Sequence, residues 1–199
     1  MPGVGSAFAT MDVVLGDVNP SARLPITFPM IENEEGMTEE QYPGLNDGMN
    51  VTYSETWSFG YRHYHEHKLE PRYWFGEGLS YSTFDMEKAK LSQDDGSVKV
   101  KFTISNTGKV DGATVPQLYL RLPQECDVPM WMLKKFDKIS LKAGEQKNVE
   151  WELKDRDLSV WDADEDEWVK CKGDATARLA WNSRMEDEDR LDDLNLKID

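Results

Sequence analysis

Three histidines, His63, His65 and His67, occupy alternate positions in the segment YRHYHEH. In an extended strand that spacing puts all three imidazoles on one face, an arrangement able to hold an ion such as zinc. As solvated polar residues they bind nothing, and that is the reading adopted: no metal and no cofactor is expected. Carboxylates are abundant, with 38 Asp and Glu in 199 residues. Abundance does not make a site, because an acid/base pair needs a pocket and displaced pKa values. A dense aromatic group, Tyr53, Trp57, Phe59, Tyr61, Tyr64, Tyr73, Trp74, Phe75, Tyr81 and Phe84, suits either a sugar-stacking platform or a core between two packed units, and the core is the reading preferred. Asn50-Val51-Thr52 fits the N-glycosylation sequon on an expected exposed loop and has meaning only in a secreted chain. Cys126 and Cys171 do not make a disulfide framework, and spacing does not decide whether they pair. Trp131, between Met130 and Met132, is apolar in an expected loop, as a partner contact or as a lid on the domain below.

The elements that must position these groups change character along the chain. SAFATMDVVL (6–15) predicts a short helix, with Ser6 as its cap and Gly16 ending it in the left-handed conformation. Asn19-Pro20-Ser21 is a turn, and Leu24 to Phe28 reads as a short strand between Pro25 and Pro29. Residues 30–50 read as acidic loop. Residues 51–64 carry strand-like pieces, and 71–84 form an ordered Gly- and aromatic-rich loop. From residue 85 the period becomes two. Val98, Val100, Phe102 and Ile104 alternate with polar neighbours. Further on, Leu118, Leu120 and Leu122 oppose Val115, Gln117, Tyr119 and Arg121. More short strands are expected at 136–141, 148–153, 168–170 and 175–181. Six or seven such strands at close spacing predict an antiparallel β-sandwich of immunoglobulin-like architecture over 85–184.

Composition narrows the function classes. A charge of −15 argues against nucleic acid and anionic membranes, whose phosphates need Lys and Arg. No apolar run approaches the roughly 20 residues of a membrane helix. Acidic clusters at Glu32–Glu40, Asp162–Glu167 and Glu186–Asp193 are read as solvated loops rather than a docking surface. The opening MPGVGSAFATM shows no secretory leader.

Several blocks together resemble one family, in the family's order. MPGVGSAFATMDVVLGDVNPSARLPITFP is similar to the last helix and strand of the α/β sandwich domain of glycoside hydrolase family 3 enzymes of the β-glucosidase type. VTYSETWSFGYRHYH resembles a Y-x-E-G segment followed by G-Y-R, and EPRYWFGEGLSYSTF resembles the linker that follows it. VKFTISNTGKVDGATVPQLYLRLP and LKKFDKISLKAGEQKNVEWELKDRDLSVWD resemble the closing fibronectin type III-like domain, with WNSRMEDEDRL a weak match to its last strand. Ala22, Thr56, His65 and Glu77 depart from the usual residues.

The resemblance implies a mainly β chain, an immunoglobulin/fibronectin type III-like β-sandwich preceded by an incomplete C-terminal remnant of an α/β sandwich domain. The expected division is 1–50 remnant, 51–84 aromatic linker, 85–184 fibronectin type III-like domain and 185–199 acidic tail. Family members are retaining glycosidases, which use two carboxyl groups roughly 5–5.5 Å apart. By resemblance both catalytic positions lie upstream of these residues, so Met1 is expected to be either an internal methionine or the start of a truncated chain. No catalytic, cofactor-binding or metal residue is assigned. The expected partners are the N-terminal catalytic domains of the same enzyme, with a β-glucoside substrate only in the intact protein. The family often acts outside the cell or in vacuoles, and no compartment is assigned to this chain. The alternative is a standalone β-sandwich module that binds carbohydrate or a protein.

Overall fold

The alternating runs form the sandwich expected of them. The structure is a computed structural model and describes residues 3–94, 97–126, 128, 131–185 and 190–199. Strands β1 (Phe84–Asp94), β2 (Ser97–Asn106) and β7 (Gln146–Leu153) make one antiparallel sheet in the order β1-β2-β7. The second has the order β11-β10-β4-β5, from β4 (Gln117–Arg121), β5 (Met132–Phe136), β10 (Gly173–Ala180) and β11 (Leu194–Ile198). Two short pairs complete it: β3 (Gly112–Thr114) with β6 (Ile139–Leu141), and β8 (Ser159–Asp162) with β9 (Glu167–Lys170).

The inward faces of the two sheets form one apolar core. Val98, Val100, Phe102 and Ile104 of β2 meet Leu118 and Leu120 of β4, with Ala175, Ala177 and Leu179 of β10. Burial of this area is the main stabilising term for the domain. The segment expected as an acidic tail is corrected in part. Residues 194–198 form β11, register Leu196 against Ala175 and Ile198 against Gly173, and bury Leu196 and Ile198 in the core. Charged neighbours hid a two-residue alternation there. The acidic run 186–189 lies outside the described residues, and so does Met130.

Preceding the sandwich, residues 3–83 form an arm with little regular structure. Helix α1 (Ser6–Leu15) ends at Gly16 in the left-handed region, φ 86°, as expected. Its cap is Gly5 rather than Ser6, and no side chain caps it. The expected strand 24–28 is corrected: it makes a single bridge, Phe28 to Tyr73. Pro25 and Pro29 lack the N–H groups a ladder needs. The remaining groups pair with the following loop, Leu24 N–H to the Glu77 carbonyl at 2.9 Å and Phe28 N–H to the Tyr73 carbonyl at 2.8 Å. Residues 45–48 make a single turn, α2 (Leu45–Gly48), with Asn46 and Asp47 both at positive φ.

Residues 61–67 also depart from expectation. They are helical, α3 (Tyr61–His67), where strand-like backbone was expected. A helix places Tyr61, Tyr64 and His65, at i, i+3 and i+4, on one face. Tyr64 is fully buried there and Tyr61 packs on Tyr119.

Candidate functional site

Helix α3 dissolves the histidine face. His63 and His67 stack with ring centroids 4.1 Å apart, while His65 turns away to Trp74 and Ser183. Three imidazoles therefore do not converge on one point. Among the described residues no group of three or more His, Cys, Asp or Glu side chains gathers as metal ligands do. The space beside His63 and His67 is a shallow cavity of about 370 Å³ that also touches Glu35, Glu55 and Glu66. Glu55 accepts from Gln41 Nε2 at 2.9 Å, and this bond holds its carboxyl below the ordinary value.

The aromatic group divides in two. Tyr61 lies 5.5 Å from Phe75 and 5.7 Å from Tyr119, centroid to centroid. Trp74 is buried between Tyr64 and His65, and Phe84 joins the sandwich core. Tyr61, packed against Phe75, carries the arm's contact to the sandwich on Tyr119, while Tyr64 and Trp74 pack within the arm. Tyr53, Trp57, Phe59, Tyr73 and Tyr81 keep much of their surface in water. Trp131 is a lid: it packs on the cluster of Tyr119, Ala180 and Met185, with the Arg178 guanidinium 4.2 Å from its ring centroid. Because Trp131, Tyr61 and Leu133 cover the outer face of β4, Tyr119 is as buried as the leucines facing the core.

Polar contacts fix the arm to the sandwich. The Asn19 amide donates to the Asp111 carbonyl at 3.0 Å, and its oxygen accepts from Ser80 Oγ at 3.0 Å and Tyr81 N–H at 2.9 Å. Tyr81 Oη donates to the Val13 carbonyl at 2.6 Å. Arg23 donates to Thr114 Oγ1 at 3.2 Å and lies over Gly78. Its guanidinium has no carboxylate partner among the described residues, and burial lowers its pKa. Neither Asn19 nor Arg23 stood out in the sequence, where Asn-Pro-Ser read as a turn and nothing marked its distant partners.

Between arm and sandwich runs an open groove of about 790 Å³, lined in part by Arg23, Phe28, Tyr73, Glu77, Trp181 and Arg184. Among the described residues Glu77 is the only carboxylate along it, and it already accepts the Trp74 N–H at 3.0 Å. A retaining glycosidase needs two carboxyl groups facing one bond. The described residues give this groove an apolar and cationic wall and one occupied acid, and among them there is no such pair.

Comparison with known proteins gives the arrangement a context. The fibronectin type III-like domain family matches residues 114–183. "Probable beta-glucosidase G" of Aspergillus flavus is 35% identical over 92% of this chain, which covers 26% of that protein. The solved Streptomyces venezuelae β-glucosidase DesR superposes with a TM-score of 0.86 at 31% identity, over 96% of this chain and 24% of its own. The family 3 β-glucosidase of Bifidobacterium adolescentis gives 0.85 at 31% identity, over 96% and 28%. The chain spans about a quarter of the length of the curated relatives it matches. Fold and site thus define a fibronectin type III-like β-sandwich with an N-terminal arm docked on it. The chain matches glycoside hydrolase family 3 β-glucosidases as their C-terminal portion and forms a structural region of that enzyme type.

Proposed function

We propose that this chain supports the catalytic domains of a family 3 β-glucosidase and does not hydrolyse glycosides by itself. The observation that carries the reading is α1. No residue of this helix is buried, and Phe8 and Leu15 are 76% and 68% exposed. Val14, Val18, Ile26 and Ile31 are exposed as well. An apolar helix fixed from one side and bare on the other needs a further surface to bury it. In this reading an α/β catalytic domain of the same enzyme supplies that surface. Residues 1–50 are the docking remnant, 51–84 the aromatic linker and 85 onward the sandwich that braces both. The intact enzyme cleaves β-linked glucosides with carboxylates from that other domain.

The test is an assay of the purified 199-residue chain on an aryl β-glucoside, together with amide hydrogen exchange. No turnover is expected, with fast exchange in 3–50 and slow exchange in β2, β4 and β10. Turnover abolished by one carboxylate substitution would overturn the reading, as would slow exchange throughout α1.

A further inference from the structure

Asn50-Val51-Thr52 is the sequence feature that the support role leaves unused. We infer that Asn50 is an N-glycosylation site. Three observations on the molecule converge.

Asn50 closes the small loop that begins at Leu45. Leu45 N–H donates to the Asn50 carbonyl at 2.8 Å, and Asn50 N–H donates back at 3.2 Å. The backbone is thus occupied, while the side chains of Asn50, Val51 and Thr52 lie exposed. A glycan is bulky and hydrophilic and needs such an outward position.

The Asn50 carboxamide is also unused. Among the described residues it makes no hydrogen bond, and neither does the Thr52 hydroxyl; Asn46 is likewise unbonded but opens no sequon, whereas Asn19, Asn33, Asn106, Asn148, Asn182 and Asn195 are all bonded through their side chains. Linking a sugar at Asn50 breaks nothing in the fold. The contrast with Asn19-Pro20-Ser21 is instructive. That tripeptide has proline at its centre, which disqualifies the sequon, and its amide holds the arm to the sandwich.

The third observation is independent of the sequon. Cys126 and Cys171 are joined as a disulfide, and no cysteine is free. Structural disulfides belong to oxidising compartments, where oligosaccharide transfer to asparagine also takes place. In the transfer, Asn50 Nδ2 bonds to the anomeric carbon of an oligosaccharide carried on a polyprenyl diphosphate. The bond from that carbon to the phosphate oxygen breaks, the amide loses one proton, and the lipid diphosphate leaves. No redox partner is required.

The experiment places the full chain behind a cleavable secretory leader and translates it with endoplasmic-reticulum microsomes. Protease-protected product is compared with and without endoglycosidase H. The expected result is one gel shift, removed by the endoglycosidase, absent in Asn50→Gln and Thr52→Ala and kept in Thr52→Ser. Transfer acts on the emerging chain, so a variant that folds poorly still reports. Non-reducing peptide mapping of the glycosylated product should recover Cys126 joined to Cys171. Translocated chain that remains unshifted, or a shift that survives Asn50→Gln, would overturn the proposal. Free thiols in the glycosylated product would overturn its compartment argument.

Discussion

Tyr61 meets Tyr119 edge to face, their ring centroids 5.7 Å apart and their planes at 80°. One ring belongs to the arm and the other to the middle of the sandwich, so this contact makes the two a single packed unit. Tyr61 Oη also accepts the Leu133 N–H at 3.1 Å, which ties the arm to strand β5. Aromatic-to-alanine changes in cores cost about 3–5 kcal/mol, and the partial exposure of Tyr61 puts Tyr61→Ala near the low end, at about 3 kcal/mol. Tyr61→Phe keeps the ring and loses one acceptor, at about 1 kcal/mol. Urea unfolding of both variants checks the order, and equal losses would show that the hydroxyl rather than the ring carries the contact.

His65 gives the chain an acid-sensitive joint. Burial holds its pKa below the ordinary 6.5, partly countered by its bond to the Ser183 carbonyl. Above pH 6.5 the ring is neutral in both folded and unfolded chains, and the contribution is fully present. As pH falls through 6.5 the unfolded chain takes the proton first, and stability falls. His65→Gln, which keeps a donor for Ser183, should flatten the drop in thermal midpoint between pH 7.5 and 5. An unchanged drop would assign the acid sensitivity to the carboxylates instead.

Tyrosine burial acts at the other end of the scale. Desolvation raises Tyr64, Tyr119 and Tyr61 above the usual 10.0, and for Tyr64 the bond to Glu34 adds to it. Below pH 10 both states are protonated. Above it the unfolded chain loses protons that the folded chain retains, so stability declines as pH rises. Ultraviolet titration should show Tyr64 and Tyr119 ionising only as the fold is lost. Ionisation of Tyr64 and Tyr119 in the folded chain would contradict their burial.

The disulfide closes a long loop, since Cys126 and Cys171 lie 45 positions apart. In the chain-entropy account a loop of this length contributes about 4 kcal/mol by restricting the unfolded chain. Replacing both cysteines by alanine should lower the denaturation midpoint accordingly, and a reductant should do the same to the native chain. A double variant as stable as the parent would show that the bond adds nothing to this fold.

The sandwich was legible because its strands have one wet and one dry face, which writes a period of two at 98–104 and 118–122. Strand β11 was hidden by its acidic neighbours. Helix α3 was hidden because its aromatic residues, following the β-branched Val51, Thr52 and Thr56, read as strand, while tertiary packing on Tyr119 favoured the helix that puts Tyr61, Tyr64 and His65 together. Nothing local in the sequence marks the contacts of Asn19 and Arg23, because their partners lie some ninety positions away. The absence of an assigned catalytic residue was a reading by family resemblance, and the pattern of carboxylates alone gave no route to it.

Gly78 tests how the arm sits. A Cβ built there would lie 2.5 Å from the Ala22 carbonyl oxygen and 2.8 Å from Arg23 Nη1. The guanidinium can swing aside, but the carbonyl is backbone and cannot yield without moving the arm. Gly78→Ala should therefore lift residues 22–28 from the loop they pair with, breaking the Leu24 to Glu77 bond and the Arg23 contact to Thr114. The sandwich core contains neither residue, so its unfolding midpoint should hold. The expected signature is faster trypsin cleavage after Arg23 and faster hydrogen exchange at Leu24 and Phe28, with β2, β4 and β10 unchanged. Gly5→Ala, where nothing lies within 4 Å, is the control and should change neither. Cleavage at the parent rate in Gly78→Ala would mean that the arm does not rest on this loop in solution.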